Sequence, residues 1–220
     1  MIRKNMFLNK YNFFRKISNT CALSVLPLLL LTVLVIVVSL VFFGDIKTDI
    51  NSAETASVIL IGFSVPMFIS LVILPLIIEV LLLKRTLNDL GLYIIITKSQ
   101  LLFVFVLLSI STLVSYFFLL ENNRLALSIL FSFITVAISE ELYVRGILYF
   151  EFKKIWGDLI SVILTSFIFA FVYHANSDFF SNLIFRFPLA LVLVFVRKKS
   201  GNIYNSVFLH YIYNVVVNTF

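Results

Sequence analysis

Glutamate, histidine and asparagine side chains recur in the C-terminal half of the sequence, inside runs that are otherwise apolar. Glu140 and Glu141 are adjacent, and His174 and His210 are the two histidines of the chain. Asn214 follows His210 by four residues, so both side chains would project from one face of a helix. Ionisable groups inside a membrane cost about 2.5–3.5 kcal/mol each, so such residues usually have a partner or a function.

The spacing of these residues suggests a division of roles. Glu141 and Arg145 are four residues apart and can form an ion pair, which offsets the cost of burying both charges. Glu140 lies about 100° around the helix and lacks that partner, so it can accept a proton from water and return it to a leaving amine. An imidazole and an amide on one helix face can polarise a carbonyl and hold the oxyanion formed when water attacks it. The set that suits this hydrolytic chemistry is Glu140, His174, His210 and Asn214.

The helices that must position these side chains are expected to lie in lipid. The 220 residues are 61% hydrophobic and 13% charged, whereas soluble domains average about 45–50% apolar and 25% charged. Crossing a bilayer core of about 30 Å takes roughly 20 apolar residues in a helix. The sequence therefore predicts an all-α fold, a polytopic transmembrane helix bundle of about seven spans. The spans are residues 22–43, 58–83, 101–120, 126–150, 159–174, 182–196 and 203–220.

The positions of lysine and arginine predict the orientation, because short cytoplasmic loops retain positive charge. With the N-terminus inside, thirteen basic residues are cytoplasmic, Lys47 and Arg124 are external, and Arg145 and Arg186 lie inside apolar runs. The predicted topology is N-in and C-out, with residues 87–93 forming a short interfacial turn. The thirteen are Arg3, Lys4, Lys10, Arg15, Lys16, Lys84, Arg85, Lys98, Lys153, Lys154, Arg197, Lys198 and Lys199.

Composition excludes several other classes of protein. The net charge of +6 comes from these loops and not from a basic stripe, so no nucleic acid is expected as a partner. Cys21 is the single cysteine, which excludes an internal disulfide or a cysteine-based metal site made by one chain. The chain divides into a basic cytoplasmic segment (1–21), three transmembrane helices with loops (22–125) and a C-terminal helix bundle (126–220). The first apolar run is predicted to be a retained anchor.

The polar motifs of the C-terminal bundle resemble those of the CAAX prenyl protease and bacteriocin-processing family of intramembrane proteases, also called CPBP or Abi. The family motif E-E-x-x-x-R is matched by Glu140, Glu141 and Arg145. The motif H-x-x-x-N is matched by His210 and Asn214. The resemblance covers roughly residues 126–220, and its motifs follow one another within about 75 residues.

The middle motif of that family, F-x-x-x-H, is matched at its histidine by His174. The position four residues earlier is Ala170, with Phe169 and Phe171 on either side. This departure concerns the packing around His174 more than its chemistry.

The resemblance implies an all-helical membrane enzyme and a role for each matching residue. Glu140 and His174 would activate a water molecule, while His210 and Asn214 would form the oxyanion site. The ion pair of the first motif would be structural support. Zinc is an alternative, because Glu140, His174 and His210 could be three ligands with one position open. Since no H-E-x-x-H motif and no carboxylate placed to orient the histidines is evident, a metal-free enzyme without a cofactor is favoured.

The predicted function is an intramembrane endopeptidase, acting in peptide maturation or bacteriocin self-immunity in a bacterial plasma membrane. Its expected partners are membrane lipid and a peptide or membrane-protein substrate. One alternative is a non-catalytic immunity or regulatory protein that keeps the motif as structural glue. Another is a small transporter with a proton-relay glutamate, although paired inverted halves are not evident. Alanine at Glu140 distinguishes the protease from the non-catalytic protein.

Overall fold

The computed structural model describes residues 2–46, 55–93, 98–121 and 125–219, and the regular structure within these ranges is helical throughout. The all-α prediction is therefore confirmed for this part of the chain. Lys47 and Arg124, the two predicted external basic residues, lie outside it. The helices are α1 (Ile2–Phe43), α2 (Val58–Leu82), α3 (Lys98–Glu121), α4 (Ala126–Trp156), α5 (Asp158–Tyr173), α6 (Phe179–Ser200) and α7 (Tyr204–Thr219).

Five of these helices are long and apolar enough to cross a membrane, namely α1, α2, α3, α4 and α6. The helix α7 has 16 residues, about 24 Å at 1.5 Å per residue, which is shorter than a bilayer core of about 30 Å. The helix α5 is also too short to count among the five. Each predicted span therefore matches a helix, but among the described residues five spans, and not seven, have full length.

The helix α4 continues six residues beyond its predicted end, and this extension sets the level of the polar residues. Gly157 reverses the chain with a φ of 83°, a conformation that glycine adopts without strain. Glu140 precedes Trp156 by sixteen positions (140 to 156), and His174 follows Asp158 by sixteen positions (158 to 174). Both therefore lie about 24 Å from the same bend. The longer α4 brings the glutamate and the first histidine to one depth.

The turn that leads into α7 lies inside the protein, beside the middle of α4. Arg197 fixes it, because its Nε donates to the carbonyl of Arg145 (3.3 Å) and its Nη1 to the carbonyl of Gly201 (3.0 Å). The segment between α2 and α3 packs against the same turn through the hydrogen bond from the Ile203 N–H to the Gly91 carbonyl, 3.1 Å. Because α7 begins this deep, its first two turns suffice to carry His210 to the level of Glu140.

The predicted turn at residues 87–93 is present, and its inner half is part of the protein core. Leu90 is fully buried and packs in one cluster with Tyr143, Val144 and Ile147 of α4 and with Leu71 of α2. The helices of the N-terminal half thus pack directly on the helix that carries the acidic motif. The division of the chain at residue 125 stays a prediction.

Candidate active site

Glu141 and Arg145 form a buried ion pair near the middle of α4. The Glu141 Oε1 atom lies 3.0 Å from Arg145 Nη1, and both side chains are 0% exposed. The same oxygen lies 2.9 Å from Nδ1 of His210 on α7. No carboxylate placed to orient a histidine was evident from the sequence, yet Glu141 is one. It was missed because the contact depends on how α7 is rotated against α4.

Glu140 faces both histidines. Its Oε2 atom lies 3.7 Å from Nε2 of His210 and 3.9 Å from Nε2 of His174. The Glu140 side chain is 6% exposed, and its Oε2 makes no hydrogen bond to any described residue. The structure therefore brings together three of the four predicted site residues, from α4, from the end of α5 and from α7. Their catalytic roles stay a prediction.

The ring of Phe169 packs against both histidines. It is edge-on to His174, with ring centroids 5.0 Å apart, and to His210, with centroids 5.6 Å apart. The guanidinium carbon of Arg145 lies 4.2 Å from the centre of the same ring, within cation–π distance. Phe169 thus holds the imidazoles from one side and shields the ion pair from the other.

The winding of α5 explains why the aromatic residue is five positions before His174 and not four. Residues Phe169–Tyr173 form a π-helical segment, in which hydrogen bonds join positions five apart. A residue five positions back then occupies the face that an α-helix gives to a residue four positions back. Phe169, and not Ala170, therefore holds the place of the aromatic residue in the motif.

Asn182 and Arg186 of α6 hold the chain at His174, where α5 ends with φ −114° and ψ 35°. The Asn182 amide donates to the His174 carbonyl (2.9 Å), and Arg186 Nη1 donates to Asn182 Oδ1 (2.9 Å). The charge of Arg186 also interacts electrostatically with Glu140 and His174. Asn182 was not identified from the sequence, although its spacing of four residues from Arg186, inside an apolar run, was a usable signal.

Asn214 is the one of the four predicted site residues whose side chain is not joined to this arrangement by any described contact. It follows His210 by one helical turn on α7 and is half-buried. Within the described part of the chain, no hydrogen bond or ion pair joins its side chain to Glu140, His174 or His210. Its carbonyl accepts a hydrogen bond from the Asn218 amide at 2.7 Å.

Zinc fits the histidines and Glu140 poorly. Around a tetrahedral zinc ion with bonds of about 2.0–2.1 Å, neighbouring ligand atoms lie roughly 3.3–3.4 Å apart. The corresponding separations from Glu140 Oε2 are 3.7 and 3.9 Å. Among the described residues, no group of three or more His, Cys, Asp and Glu side chains is placed to hold a metal ion. The contact of Glu141 with His210 removes one of the two sequence arguments for a metal-free enzyme, so that preference stays a prediction. No step of the proposed reaction passes through a metal.

The fold and the site together define a class, an all-helical multi-pass membrane protein with a buried cluster of glutamate, histidine and arginine. Residues 122–216 match a family model described as Rce1-like, type II CAAX prenyl endopeptidase Rce1-like. The predicted resemblance to the CAAX protease (CPBP/Abi) family is therefore confirmed over these residues. Comparison with curated proteins gave no match, and neither did comparison with solved structures.

Proposed function

We propose that the chain is an intramembrane endopeptidase that cleaves a peptide bond with a water molecule held by Glu140 and His174. The observation that carries the proposal is the position of Glu140 Oε2, 3.7 Å from one imidazole nitrogen and 3.9 Å from another in a buried site. These separations are too long for direct hydrogen bonds, and they suit groups that act on a shared reactant. The match to an endopeptidase family supports the same conclusion.

The proposed reaction begins when Glu140 takes a proton from the water as the water oxygen bonds to the carbonyl carbon. The carbonyl electron pair moves onto its oxygen and gives a tetrahedral oxyanion. Glu140 then returns the proton to the amide nitrogen, the C–N bond breaks, and the carbonyl re-forms. The products are a carboxylic acid and an amine, which exchange a proton in water, and Glu140 is again a carboxylate. His174 orients the attacking water.

The roles of His210 in this scheme follow from its contact with Glu141. Because Nδ1 faces a carboxylate, Nδ1 carries the proton of the neutral ring, and Nε2 can donate only when the ring holds a second proton. In that form Nε2–H can stabilise the oxyanion. The Asn214 amide, one turn further along α7, is proposed as the second donor on the strength of the resemblance.

We also propose that the N-terminus lies in the cytoplasm of a bacterial cell and that all seven helices belong to the membrane domain. Basic residues from different helices gather at one end of the bundle, which supports this orientation. Lys16 of α1 lies over the Trp156 ring at 5.7 Å, and Arg85 after α2 pairs with Glu151 of α4 at 3.1 Å. A role in peptide maturation or bacteriocin self-immunity rests on the resemblance alone.

The test is a cleavage assay with the purified protein in detergent and a quenched-fluorescence peptide library. Glu140→Gln should lower the cleavage rate by about 10²–10⁴-fold, the usual contribution of a general acid–base group. Glu79→Gln is the matched control, because Glu79 is also buried in a membrane helix but contacts Arg85 and not the histidines. Its rate should stay near that of the wild type. Metal analysis of the same sample, with and without chelator treatment, tests the metal-free reaction.

Two results of this assay would overturn the proposal. One is a folded wild-type protein that cleaves no peptide, which would favour the non-catalytic immunity protein. The other is a Glu140→Gln variant that cleaves as fast as the wild type.

A further inference from the structure

A cavity of about 530 Å³ lies beside α4, between Glu140 and the N-terminal end of that helix. Val136 and Ser132, in its wall, precede Glu140 by four and eight residues, so they lie one and two turns along nearly the same helix face. Tyr173, next to His174 in the chain, lines it as well, and α1 and α2 close the other side. We name it the hydroxyl cavity. Its wall therefore comes within one helical turn of Glu140 along α4 and includes both chain neighbours of His174, Tyr173 and Ala175.

The hydroxyl cavity has no charged wall. None of the described residues that line it is aspartate, glutamate, lysine, arginine or histidine. A charged group would therefore enter without a partner, at a high cost in desolvation. The cavity suits an uncharged occupant.

Two hydroxyl groups in its wall have unused hydrogen-bonding capacity. Ser132 is 1% exposed, and neither its Oγ atom nor the buried Oη atom of Tyr173 makes a hydrogen bond to any described residue. A buried hydroxyl without a partner is unfavourable, because it has given up its hydrogen bonds to water and gained none in return. An occupant with backbone N–H and C=O groups would provide those partners, whereas a lipid acyl chain would not.

We propose that the hydroxyl cavity binds the uncharged, extended segment of the peptide substrate that adjoins the scissile bond. The proposal rests on the proposed function. The volume lies within the range of roughly 300–1,000 Å³ typical of ligand pockets. Ser132 is about 12 Å along α4 from Glu140, a distance that three or four residues of extended peptide cover at about 3.3 Å each. Ser132 and Tyr173 are then specificity-determining residues that hydrogen-bond the substrate backbone.

A larger cavity between α3, α4 and α7, of about 770 Å³, provides a matched comparison. The hydroxyl groups of Ser115 and Tyr211 in its wall are bonded to each other at 2.7 Å. Thr112, also in that wall, donates to the Leu108 carbonyl of its own helix. The buried Oγ of Ser111, in the same wall, makes no hydrogen bond to a described residue, so the larger cavity has one such hydroxyl where the hydroxyl cavity has two. A cysteine at Thr112 reports on this mostly apolar cavity, away from the hydroxyl cavity.

The first experiment measures thiol protection in a chain with Cys21→Ser and Glu140→Gln, which leaves peptides uncut. The reporter is Thr32→Cys, at an exposed position in the wall of the hydroxyl cavity, where the native hydroxyl donates to the Leu28 carbonyl of its own helix as that of Thr112 does to Leu108. It is treated with a small neutral methanethiosulfonate, with and without a library of uncharged peptides. The uncharged library should slow modification at least several-fold, while a library with lysine or aspartate at every second position should not. Thr112→Cys should react at the same rate in all conditions.

Three results of this experiment would overturn the proposal. Thr32→Cys could react equally fast with and without peptide, or peptide could slow both cysteines alike. Alternatively, its rate could follow the acyl-chain length of added lipid and ignore peptide, which would make the cavity a lipid site.

The second experiment separates this proposal from the proposed function. Val136→Phe narrows the hydroxyl cavity and should raise KM for the peptide library about tenfold, with little change in kcat and a shift toward glycine and alanine next to the scissile bond. Ile134→Phe, on the wall of the larger cavity, is the control and should keep the wild-type specificity. If Val136→Phe cleaves with wild-type KM and specificity, the hydroxyl cavity is not the substrate site. The proposal of endopeptidase activity is not affected by that result. If the wild type cleaves nothing, the endopeptidase fails, and the thiol experiment still decides whether the cavity binds peptide.

Discussion

Glu141 contacts both the buried cation of the candidate site, Arg145, and one of its histidines, His210. Its Oε1 atom contacts both Arg145 and His210, so one oxygen neutralises a buried guanidinium and sets the proton position on an imidazole. The Arg145 guanidinium in turn lies against Phe169, which packs on both histidines. A change at any of these positions should therefore alter more than one of the others.

The first prediction concerns stability at the residue scale. Arg145→Met removes the cation of a buried ion pair and leaves the Glu141 carboxylate with His210 as its remaining partner, which should lower the free energy of unfolding by about 3–5 kcal/mol. The control is Lys153→Met, because the Lys153–Asp158 pair, at 3.5 Å, is largely exposed to solvent. That change should cost less than about 1 kcal/mol. Equilibrium denaturation in mixed micelles measures both, and similar losses would contradict the prediction.

The second prediction tests the π-helical register of α5. Phe169→Ala should lower the cleavage rate at least tenfold and the free energy of unfolding by about 3–5 kcal/mol, because both imidazoles lose their packing partner. Adding Ala170→Phe restores the spacing of the family motif but should not restore activity, since position 170 lies about 100° around the helix from the ring that contacts the histidines and is itself fully buried. Phe167→Ala, at a half-exposed ring, is the control and should have little effect. Rescue by the double variant would show that the α-helical spacing is the relevant one.

The sequence specified the types and order of the site residues but not their contacts. Glu140, His174 and His210 were identifiable because charged and polar groups are rare in apolar helices and must have a reason to be there. The Glu141–His210 contact was not, because it depends on the rotation of α4 against α7. Phe169 was displaced by one position from the motif because π-helical winding follows from packing and leaves no periodic signal in the sequence.

Two segments that join helices determine where α7 begins. Gly201, which ends α6, and Gly91, in the segment before α3, have φ values of 78° and 74°. A Cβ atom at Gly91 would lie 2.7 Å from Arg197 Nη2, and one at Gly201 would collide with the hydroxyl of Tyr93. Both glycines therefore let the two segments approach closely enough to set the depth of His210.

The third prediction isolates that close approach. Gly201→Ala should lower the free energy of unfolding by more than the roughly 1–2 kcal/mol that a left-handed conformation costs any residue with a Cβ atom. Gly44→Ala is the control, because Gly44 has φ 71° but no atom within 4 Å of the added Cβ, so it measures the conformational cost alone. Adding Tyr93→Phe removes the hydroxyl and should recover part of the loss at Gly201. Equal losses at Gly201 and Gly44 would show that the contact is unimportant.

The positions of the helices along the sequence were predictable, whereas the length of α5 and the depth at which α7 begins in the bundle were not. One physical reason explains both. Hydrocarbon forces every spanning backbone into a helix, so a run of apolar residues such as that of α2 reveals its span. The turn at Gly201 is buried in protein, where its polar backbone groups find partners in Arg197 and Gly91. Hydropathy does not distinguish such a turn from one at the membrane surface. The short α5 and the deep start of α7 were therefore apparent only from the packing.

The distribution of charge over the whole molecule is asymmetric along the bundle axis. Residues near the Trp156–Asp158 bend include Lys16, Lys153 and Lys198, and the last of these is bonded to Asp158. Among the described residues, the opposite ends of the same helices have no lysine or arginine in their terminal turns, and Asp45 and Asp178 flank two of them. One end of the bundle is therefore basic, and it is the end expected to stay in the cytoplasm.

The last prediction assigns the two ends of the bundle to sides of the membrane. In a Cys21→Ser chain expressed in bacterial cells, Asp45→Cys, just after α1, should react with a membrane-impermeant maleimide on intact cells. Lys153→Cys, at the basic end of α4, should react only after the membrane is permeabilised, because positively charged loops are retained inside. Both positions are solvent-exposed, so a difference in labelling reports the side of the membrane and not burial. The reverse pattern would invert the topology and would place the hydroxyl cavity on the cytoplasmic side of Glu140.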